Sequence, residues 1–590
     1  MSDFETRICQ NCKGSFLIDP SDFDFYEKMN VPAPTWCPSC RLQRRLVFIN
    51  MRALYKRICD LCGKSIVTIY APEKKVVVYC PPCWWSDKWD ARDYGRDYDF
   101  SKPFFEQFKA LNEATPQMSL EVEYPTLVNS EYVNYVGTAK NSYLIYYGDE
   151  SENVLYSEIL FHNKDSMDAT ILDESELCYS VVNCEKCYKA FFCEDCESST
   201  EVYFSKSCNG CSYCFGCIGL RGKQYHIFNQ PYSKEEYQKK IQEFKISSHS
   251  TVEHLKQEVR AFWLKFPHKF SRALRNLNVT GDYVYQSKNS KDMYIVNKGA
   301  ENCRYCQILT MPPIKEAYDQ TGWGNNAERI YECLSVGQNA DNIKFCYAVW
   351  SNVRNIEYSM NVASSSYMFG CSNIRSKQYC ILNKQYPKEE WEQLRERIIR
   401  DMNEKPYTDA RGRTYPYGEF FPPEFSLFAY NESYAADFFP LSREQAEQQG
   451  LAWYEPQPNL HIPTIAAKDL PDNLEEINDS ILQEIIACDA CAKPFRIARA
   501  ELSLLRRFGL PIPRQCPNCR YRERFSRVNP PSLYPRVCQC AGTQSANGAY
   551  ANTAEHIHGS EACPNEFETS YALDRPEIIY CEQCYNAEVV

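Results

Sequence analysis

The stretch CNGCSYCFGCIGLRGKQYHIFN, residues 208–229, sets Cys208, Cys211, Cys214 and Cys217 at strict three-residue steps. Two readings compete: a cradle of thiolates for an iron–sulfur cluster or a zinc ion, and the inner wall of a repeating structure. The chain supplies its own comparison, because FGCIGLRGKQYHIFNQPYSKEEY (215–237) is written again as FGCSNIRSKQYCILNKQYPKEEW (369–391). In the second copy Val362 stands for Cys208, Ser365 for Cys211 and Met368 for Cys214, and only Cys217 is kept, as Cys371. A closed metal site needs all its thiolates, whereas a packing position accepts any side chain of suitable size. The four positions are therefore expected to be wall, with a cluster as the alternative if the two copies have diverged.

Working outward, a shorter period appears. Asn141, Asn153 and Asp165 step by twelve and open the phrases NSYLIYYGDESE, NVLYSEILFHNK and DSMDATILDESE, with Tyr179 continuing the series. In the second copy Tyr294, Tyr305, Tyr318, Tyr331, Phe345, Tyr358, Tyr367 and Tyr379 step by 9 to 14. Such a period is too short for a helix pair. Runs of Tyr, Ile, Val and Cys broken by Asn, Asp, Ser and Gly indicate short strands and tight turns. Stacked rungs bury a core that no single rung can bury. The expected fold is mainly β with some α: a duplicated parallel β-solenoid in two blocks, 125–229 and 281–383. A helical linker over 230–280 separates them. SKEEYQKKIQEF and PKEEWEQLRERII read as amphipathic helices opened by Ser233 and Pro387, one after each block. The remainder of 384–475 is rich in proline and aromatics and reads as an extended segment lying on the solenoid.

The chain ends carry a second duplication. Cys9, Cys12, Cys37, Cys40 and Cys59 recur, 479 residues later, as Cys488, Cys491, Cys516, Cys519 and Cys538. Both copies keep 24 residues between their CxxC pairs, and Asn30 falls on Gly509, the residue types that most readily end a helix in the left-handed conformation. Cys59/Cys62 with Cys80/Cys83 form CxxC–17–CxxC. Four thiolates from two knuckles make a closed tetrahedral zinc site. The expected modules are ribbon- or treble-type zinc domains at 1–50, 51–95, 485–530 and 531–590, with four zinc ions per chain. The last site is ambiguous: Cys538, Cys540, Cys563, Cys581 and Cys584 are five candidates for four places, and His556 and His558 also compete.

The stretches CQNCKGSFLI…FYEKMNVPAPTWCPSCR and CDACAKPFRI…RFGLPIPRQCPNCR resemble a short zinc-ribbon domain of bacterial proteins, and the whole layout resembles multi-ribbon, cysteine-repeat proteins of candidate-phyla bacteria. The ribbon resemblance covers about 35 residues per copy and implies zinc binding at Cys9, Cys12, Cys37, Cys40, Cys488, Cys491, Cys516 and Cys519. It implies no activity.

The 590 residues include 32 cysteines and no basic-then-apolar leader, so the expected address is the cytoplasm, where thiols stay reduced and CxxC pairs hold metal. No apolar run is long enough to span a bilayer. The net charge of −11 is uneven: residues 488–540 hold eleven Lys/Arg against three Asp/Glu, and 129–229 hold fifteen acids against seven bases. Three functional readings follow. Arg41, Arg44, Arg45, Arg520, Arg522, Arg524 and Arg527, running out of CPSCR and CPNCR, are candidates to neutralise phosphates of RNA or DNA. Phe48, Tyr55, Tyr521, Phe525 and Tyr534 would stack on bases. Alternatively the solenoid is a protein-interaction scaffold with the ribbons as its end caps, their arginines balancing thiolate charge or docking on the acidic block. The third reading is a carboxylate-based carbohydrate enzyme using Asp149, Glu150, Glu158, Asp165 and Asp168, disfavoured because no HExxH, GxSxG, Walker or GxGxxG motif is present.

Overall fold

The computed structural model describes residues 4–456 and 461–589. Met1–Asp3, at the head of the first expected ribbon, 457–460, in the proline- and aromatic-rich segment, and Val590 lie outside the described residues. The chain forms two compact units. One gathers 1–120 and 271–455, with 531–533; the other gathers 121–270, 456–530 and 534–590. Each unit therefore joins one solenoid block to the ribbon pair from the more distant chain end.

The solenoids are parallel, about 21 turns between them. In the first block one triplet generates the structure. From Asn141 to Phe228 every third residue has positive φ. The residue after each of these turns inward, and every such position from Ser142 to Cys217 is buried. Four triplets close one rung of twelve, so parallel partners keep a constant step: Tyr146 pairs Glu158, Glu158 pairs Thr170, Thr170 pairs Val182, and Thr200, Ser212 and Gln224 continue it. The left-handed corners explain the asparagines, whose short side chains tolerate that conformation. Asn129, Asn141, Asn153 and Asp165 form a side-chain hydrogen-bond ladder at 3.1, 3.3 and 2.8 Å.

The three-residue spacing of Cys208, Cys211, Cys214 and Cys217 is thus the inward period of the wall. Each thiol donates to the carbonyl two residues before it, as Cys211 does to Asn209 at 3.5 Å, and Cys211 also reaches Leu220 at 3.3 Å. Ser199 in the rung below uses the equivalent pair of carbonyls, donating to Glu197 at 2.9 Å and lying 3.4 Å from that of Cys208. Ser365, which replaces Cys211 in the second copy, donates to Ala363 at 2.8 Å. Val362 and Met368 are fully buried in the corresponding core. Burial pushes the Cys371 thiol well above its ordinary value and Cys380 up to about 12, so these thiols stay neutral.

The second block is less regular. Its rung step is 13 from Ile314 to Ala327 to Ala340 to Val353, 14 from Ala300 to Ile314, 11 from Leu277 to Lys288 and 12 from Ser366 to Gln378. The aromatic series still stacks, Phe345 on Tyr358 at 4.7 Å and Tyr367 on Tyr379 at 4.7 Å. Both blocks end alike: the last rung strand, Gln224–Ile227 or Gln378–Ile381, pairs antiparallel with a two-residue strand and runs into helix Lys234–Glu243 or Lys388–Glu404. The helix covers the open edge, Phe244 stacking on Phe215 at 4.1 Å and Trp391 Nε1 donating to the Cys380 carbonyl at 3.1 Å. The C-terminal end of each block thus carries a helix.

In the first unit the proline- and aromatic-rich segment lies against the second block, Tyr417 donating to Glu357 at 2.9 Å and the Gly418 amide to Tyr358 Oη at 2.7 Å. Phe420, Phe421, Phe425 and Tyr434 are buried there. No helix among the described residues is long and apolar enough to cross a membrane.

Candidate metal centres and arginine clamps

Four groups of four thiols converge: Cys9/Cys12/Cys37/Cys40, Cys59/Cys62/Cys80/Cys83, Cys488/Cys491/Cys516/Cys519 and Cys538/Cys563/Cys581/Cys584, each with its sulfurs within 4.8 Å of one another. The local chain dictates this. A hairpin turn folds the first CxxC so that the Cys9 amide donates to Gly14 at 2.9 Å and the Lys13 amide back to Cys9 at 3.0 Å, with Lys13 at φ 62°. The turns at Gly63 and Ala492 are left-handed likewise. The second CxxC opens a helix, Pro38–Leu46 or Pro517–Phe525, whose proline at the first position has no amide to leave unpaired.

Sulfur–sulfur separations are 3.8 Å for Cys12–Cys37 and 3.9 Å for Cys62–Cys80, Cys491–Cys516 and Cys563–Cys581. A tetrahedron of metal–sulfur bonds of about 2.3 Å has edges of about 3.8 Å, whereas a disulfide is about 2.05 Å. All the cysteines are free thiols. Burial pushes Cys59 and Cys488 up, but amide hydrogen bonds from Cys80, Cys62 and Leu61, and from Cys516, Cys491 and Ala490, pull each down to about 7. These turns favour thiolate, the form that binds metal.

The fourth group resolves the ambiguity in the sequence. Cys563 and Cys581 are separated by the same 17 residues as Cys62 and Cys80. The module is a ribbon with 22 extra residues inside its first knuckle, between Cys538 and Cys563. Its hairpin closes as in the second ribbon, the Cys538 amide on Asn565 at 2.9 Å matching Cys59 on Lys64 at 2.8 Å. The conserved 17-residue spacing was the available signal. Cys540 does not fall in this four-thiol group; it is grouped with His556, His558 and Cys584.

The arginines occupy quite different surroundings from a nucleic-acid surface. Arg41, Arg44 and Arg45 are buried on one face of helix Pro38–Leu46. Arg41 Nη2 lies 2.8 Å and Arg45 Nη1 3.0 Å from the carboxylate of Asp319 on the solenoid. Arg44 bridges Glu419 at 2.7 Å and Glu332, and lies over the Trp36 ring. Three guanidiniums meet three carboxylates. In the other unit Arg520 and Arg524 hold Asp168 at 3.0 and 2.7 Å, Arg520 also pairs Glu501 at 2.9 Å, and Arg527 lies 3.4 Å from Glu194. Burial works against the charges of Arg41 and Arg520, but Asp319, and Asp168 with Glu501, hold both well above the ordinary value. Six of the seven candidate arginines are thus engaged by carboxylates and cannot reach a phosphate without breaking these pairs. Arg522 alone of the seven is exposed.

The candidate base-stacking residues are similarly engaged. Phe48 packs on Phe420 and Phe421, and the half-buried Tyr55 donates to Glu432. Tyr521 is buried, whereas Phe525 and Tyr534 are half-buried. The acids considered for catalysis are dispersed too: Glu158 is buried, Asp165 pairs Arg507 at 2.7 Å, and Asp149 accepts the Thr138 amide at 2.6 Å. His162 is exposed, 3.3 Å from Asp173 and 3.6 Å from Glu150.

The ribbon helices share hydrophobic cores with the solenoids. Phe25, on helix Pro20–Met29, stacks on Tyr318 at 3.8 Å and 7°. In the other unit Phe508, on helix Arg499–Phe508, packs on Phe191 at 5.2 Å within one core that also contains Leu505 and Ile512. No protein-family model matches this chain and no curated protein matches it.

Proposed function

We propose that the protein is a zinc-stabilised, non-catalytic binding scaffold, with zinc in each four-thiol group and a protein partner on the solenoid walls. Four thiolates at tetrahedral spacing are the donor set of structural zinc. The observation that carries the reading is the use of the ribbon arginines: a charge buried against Asp168 or Asp319 holds ribbon to solenoid and is withheld from any phosphate. The acidic excess of the first block, with Glu150, Glu174, Glu176, Glu185 and Glu197 at half-buried or exposed positions and Lys186 shared between Glu174 and Glu185, favours a basic protein segment over a nucleic acid, which it would repel. Of the five acids weighed for catalysis, Asp165 and Asp168 are paired with arginine and Glu158 is buried.

The test is fluorescence anisotropy of the full chain with labelled single-stranded RNA, single-stranded DNA, duplex DNA and an arginine/lysine-rich peptide, each titrated against salt. The peptide is expected to bind, and Glu174→Lys with Glu185→Lys to weaken it at least tenfold, while the nucleic acids stay unbound at physiological salt. Salt-steep RNA or DNA binding that disappears in Arg522→Ala would overturn the reading and return function to the C-terminal ribbon.

A further inference from the structure

The fourth ribbon carries more ligands than one ion can use. Cys540, His556, His558 and Cys584 form a second group whose donor atoms all lie within 4.8 Å of one another, and Cys584 also belongs to the four-thiol set. Cys540, His556 and His558 all come from the 22-residue insertion. This segment is short of regular secondary structure, with turns and isolated bridges only.

The two imidazoles are held as ligands are held. His556 is buried, and its Nε2 lies 2.8 Å from Glu588 Oε1. A carboxylate accepts, so Nε2 carries the proton and Nδ1 keeps the free lone pair. His558 Nδ1 lies 2.8 Å from the Glu561 carbonyl, which fixes the opposite tautomer and leaves Nε2 free, 3.3 Å from Cys584 Sγ. That distance is close to an edge of a zinc tetrahedron with bonds of about 2.0–2.3 Å. Asn552 Nδ2 donates to Cys540 Sγ at 3.2 Å, while its Oδ1 accepts from the buried Tyr580 at 2.8 Å. Each imidazole is thus oriented by an acceptor on its far nitrogen, and the Cys540 sulfur receives a donor, the outer-shell pattern of a metal site.

We infer that the C-terminal ribbon holds two zinc ions, bridged by the Cys584 thiolate: one bound by Cys538, Cys563, Cys581 and Cys584, the other by Cys584, Cys540, His556 and His558. Seven residues complete two tetrahedra only if one is shared, and Cys584 is the residue common to both groups. Charge favours the arrangement. One zinc with four thiolates carries about −2, while two zinc ions with five thiolates carry about −1, which suits a site whose sulfurs are all buried. Loss of the second ion would loosen the insertion around Cys540, His556 and His558, whose remaining ties run through Glu588 and Tyr580. The zinc identity rests on the reading of the four-thiol groups, but the ion count and the bridge do not depend on what partner binds.

The experiment is metal analysis of the full chain by inductively coupled plasma and native mass spectrometry. The unmodified chain is expected to hold five zinc ions. Cys540→Ser and His558→Ala, the latter at a half-buried ligand, should each hold four, and Cys584→Ala three. In ¹¹³Cd-loaded protein two of the five resonances should be scalar-coupled to each other through the shared sulfur. Four ions in the unmodified chain, or five retained in both Cys540→Ser and His558→Ala, would overturn the second site. Five uncoupled cadmium resonances would overturn the bridge.

Discussion

Asp168 and Asp319 each answer two guanidiniums one helical turn apart, Arg520 and Arg524 in one unit and Arg41 and Arg45 in the other. The arginines match across the 479-residue duplication, so the clamp is a property of the CPxCR helix. Removing the shared carboxylate strands two buried charges, which costs about 3–5 kcal/mol per broken buried pair. Asp319→Ala is therefore expected to lower the denaturation midpoint of its unit sharply, while Arg522→Ala, at an exposed position, changes it by less than about 0.5 kcal/mol; urea titration followed by tyrosine fluorescence reads both. Glu194 gives the pH dependence. Burial raises its carboxyl, but Lys206 and Arg527 bring it down to about 2, below the ordinary glutamate value of about 4.3. A depressed folded-state value means stability that is complete above about pH 4.3 and lost as pH falls towards 2, a few kcal/mol in all. Glu194→Gln should flatten the stability–pH curve in that window; an unchanged slope would contradict the pairing. The arginines were visible in the sequence as a basic cluster. Their partners were not, because every pair but Arg520–Glu501 joins residues hundreds of positions apart, and charge composition alone does not separate a field aimed at a ligand from one spent inside the fold.

At the scale of elements, the twelve-residue period and the replacement of Cys208, Cys211 and Cys214 by Val362, Ser365 and Met368 were sufficient to read a wall. The finer rule, one inward residue in three after a left-handed corner, was already written in the cysteine spacing and in Asn141, Asn153 and Asp165. The second block obscured it, since rungs of 11 to 14 residues break the triplet count. Ser199 and Cys211 occupy successive rungs and donate to equivalent carbonyls. Cys211→Ser is accordingly expected to cost no more than about 1.5 kcal/mol and to leave the metal content unchanged, whereas Cys211→Asp, which buries a carboxylate with no cation facing it, should abolish folding of the block. Loss of a metal ion in Cys211→Ser would revive the cluster reading. The fourth ribbon was only half legible: the Cys581/Cys584 knuckle was found, but the insertion displaced Cys563 by 22 positions, let CQC pass for the other knuckle and hid the 17-residue match to Cys62 and Cys80.

On the scale of the whole molecule, the chain order and the packing order differ. The N-terminal ribbon, 1–50 in the sequence, packs with the second block, and the ribbon beginning near Cys488 packs with the first. The sequence showed two duplications and gave no means of pairing their copies, since both ribbon helices present the same arginines and both blocks an aspartate. If the thiol groups hold zinc as proposed, metal and solenoid stability are linked crosswise. Stripping zinc should loosen a ribbon, withdraw its arginines and leave buried carboxylates on the distant block uncompensated. Hydrogen-exchange mass spectrometry of Cys9→Ser and Cys488→Ser in the full chain tests this most directly. Cys9→Ser is predicted to raise exchange in 277–369 and spare 141–228, and Cys488→Ser to do the reverse. Exchange rising instead in the block that follows or precedes the mutated ribbon in sequence, or ribbon loss that leaves both blocks fully protected, would contradict the account.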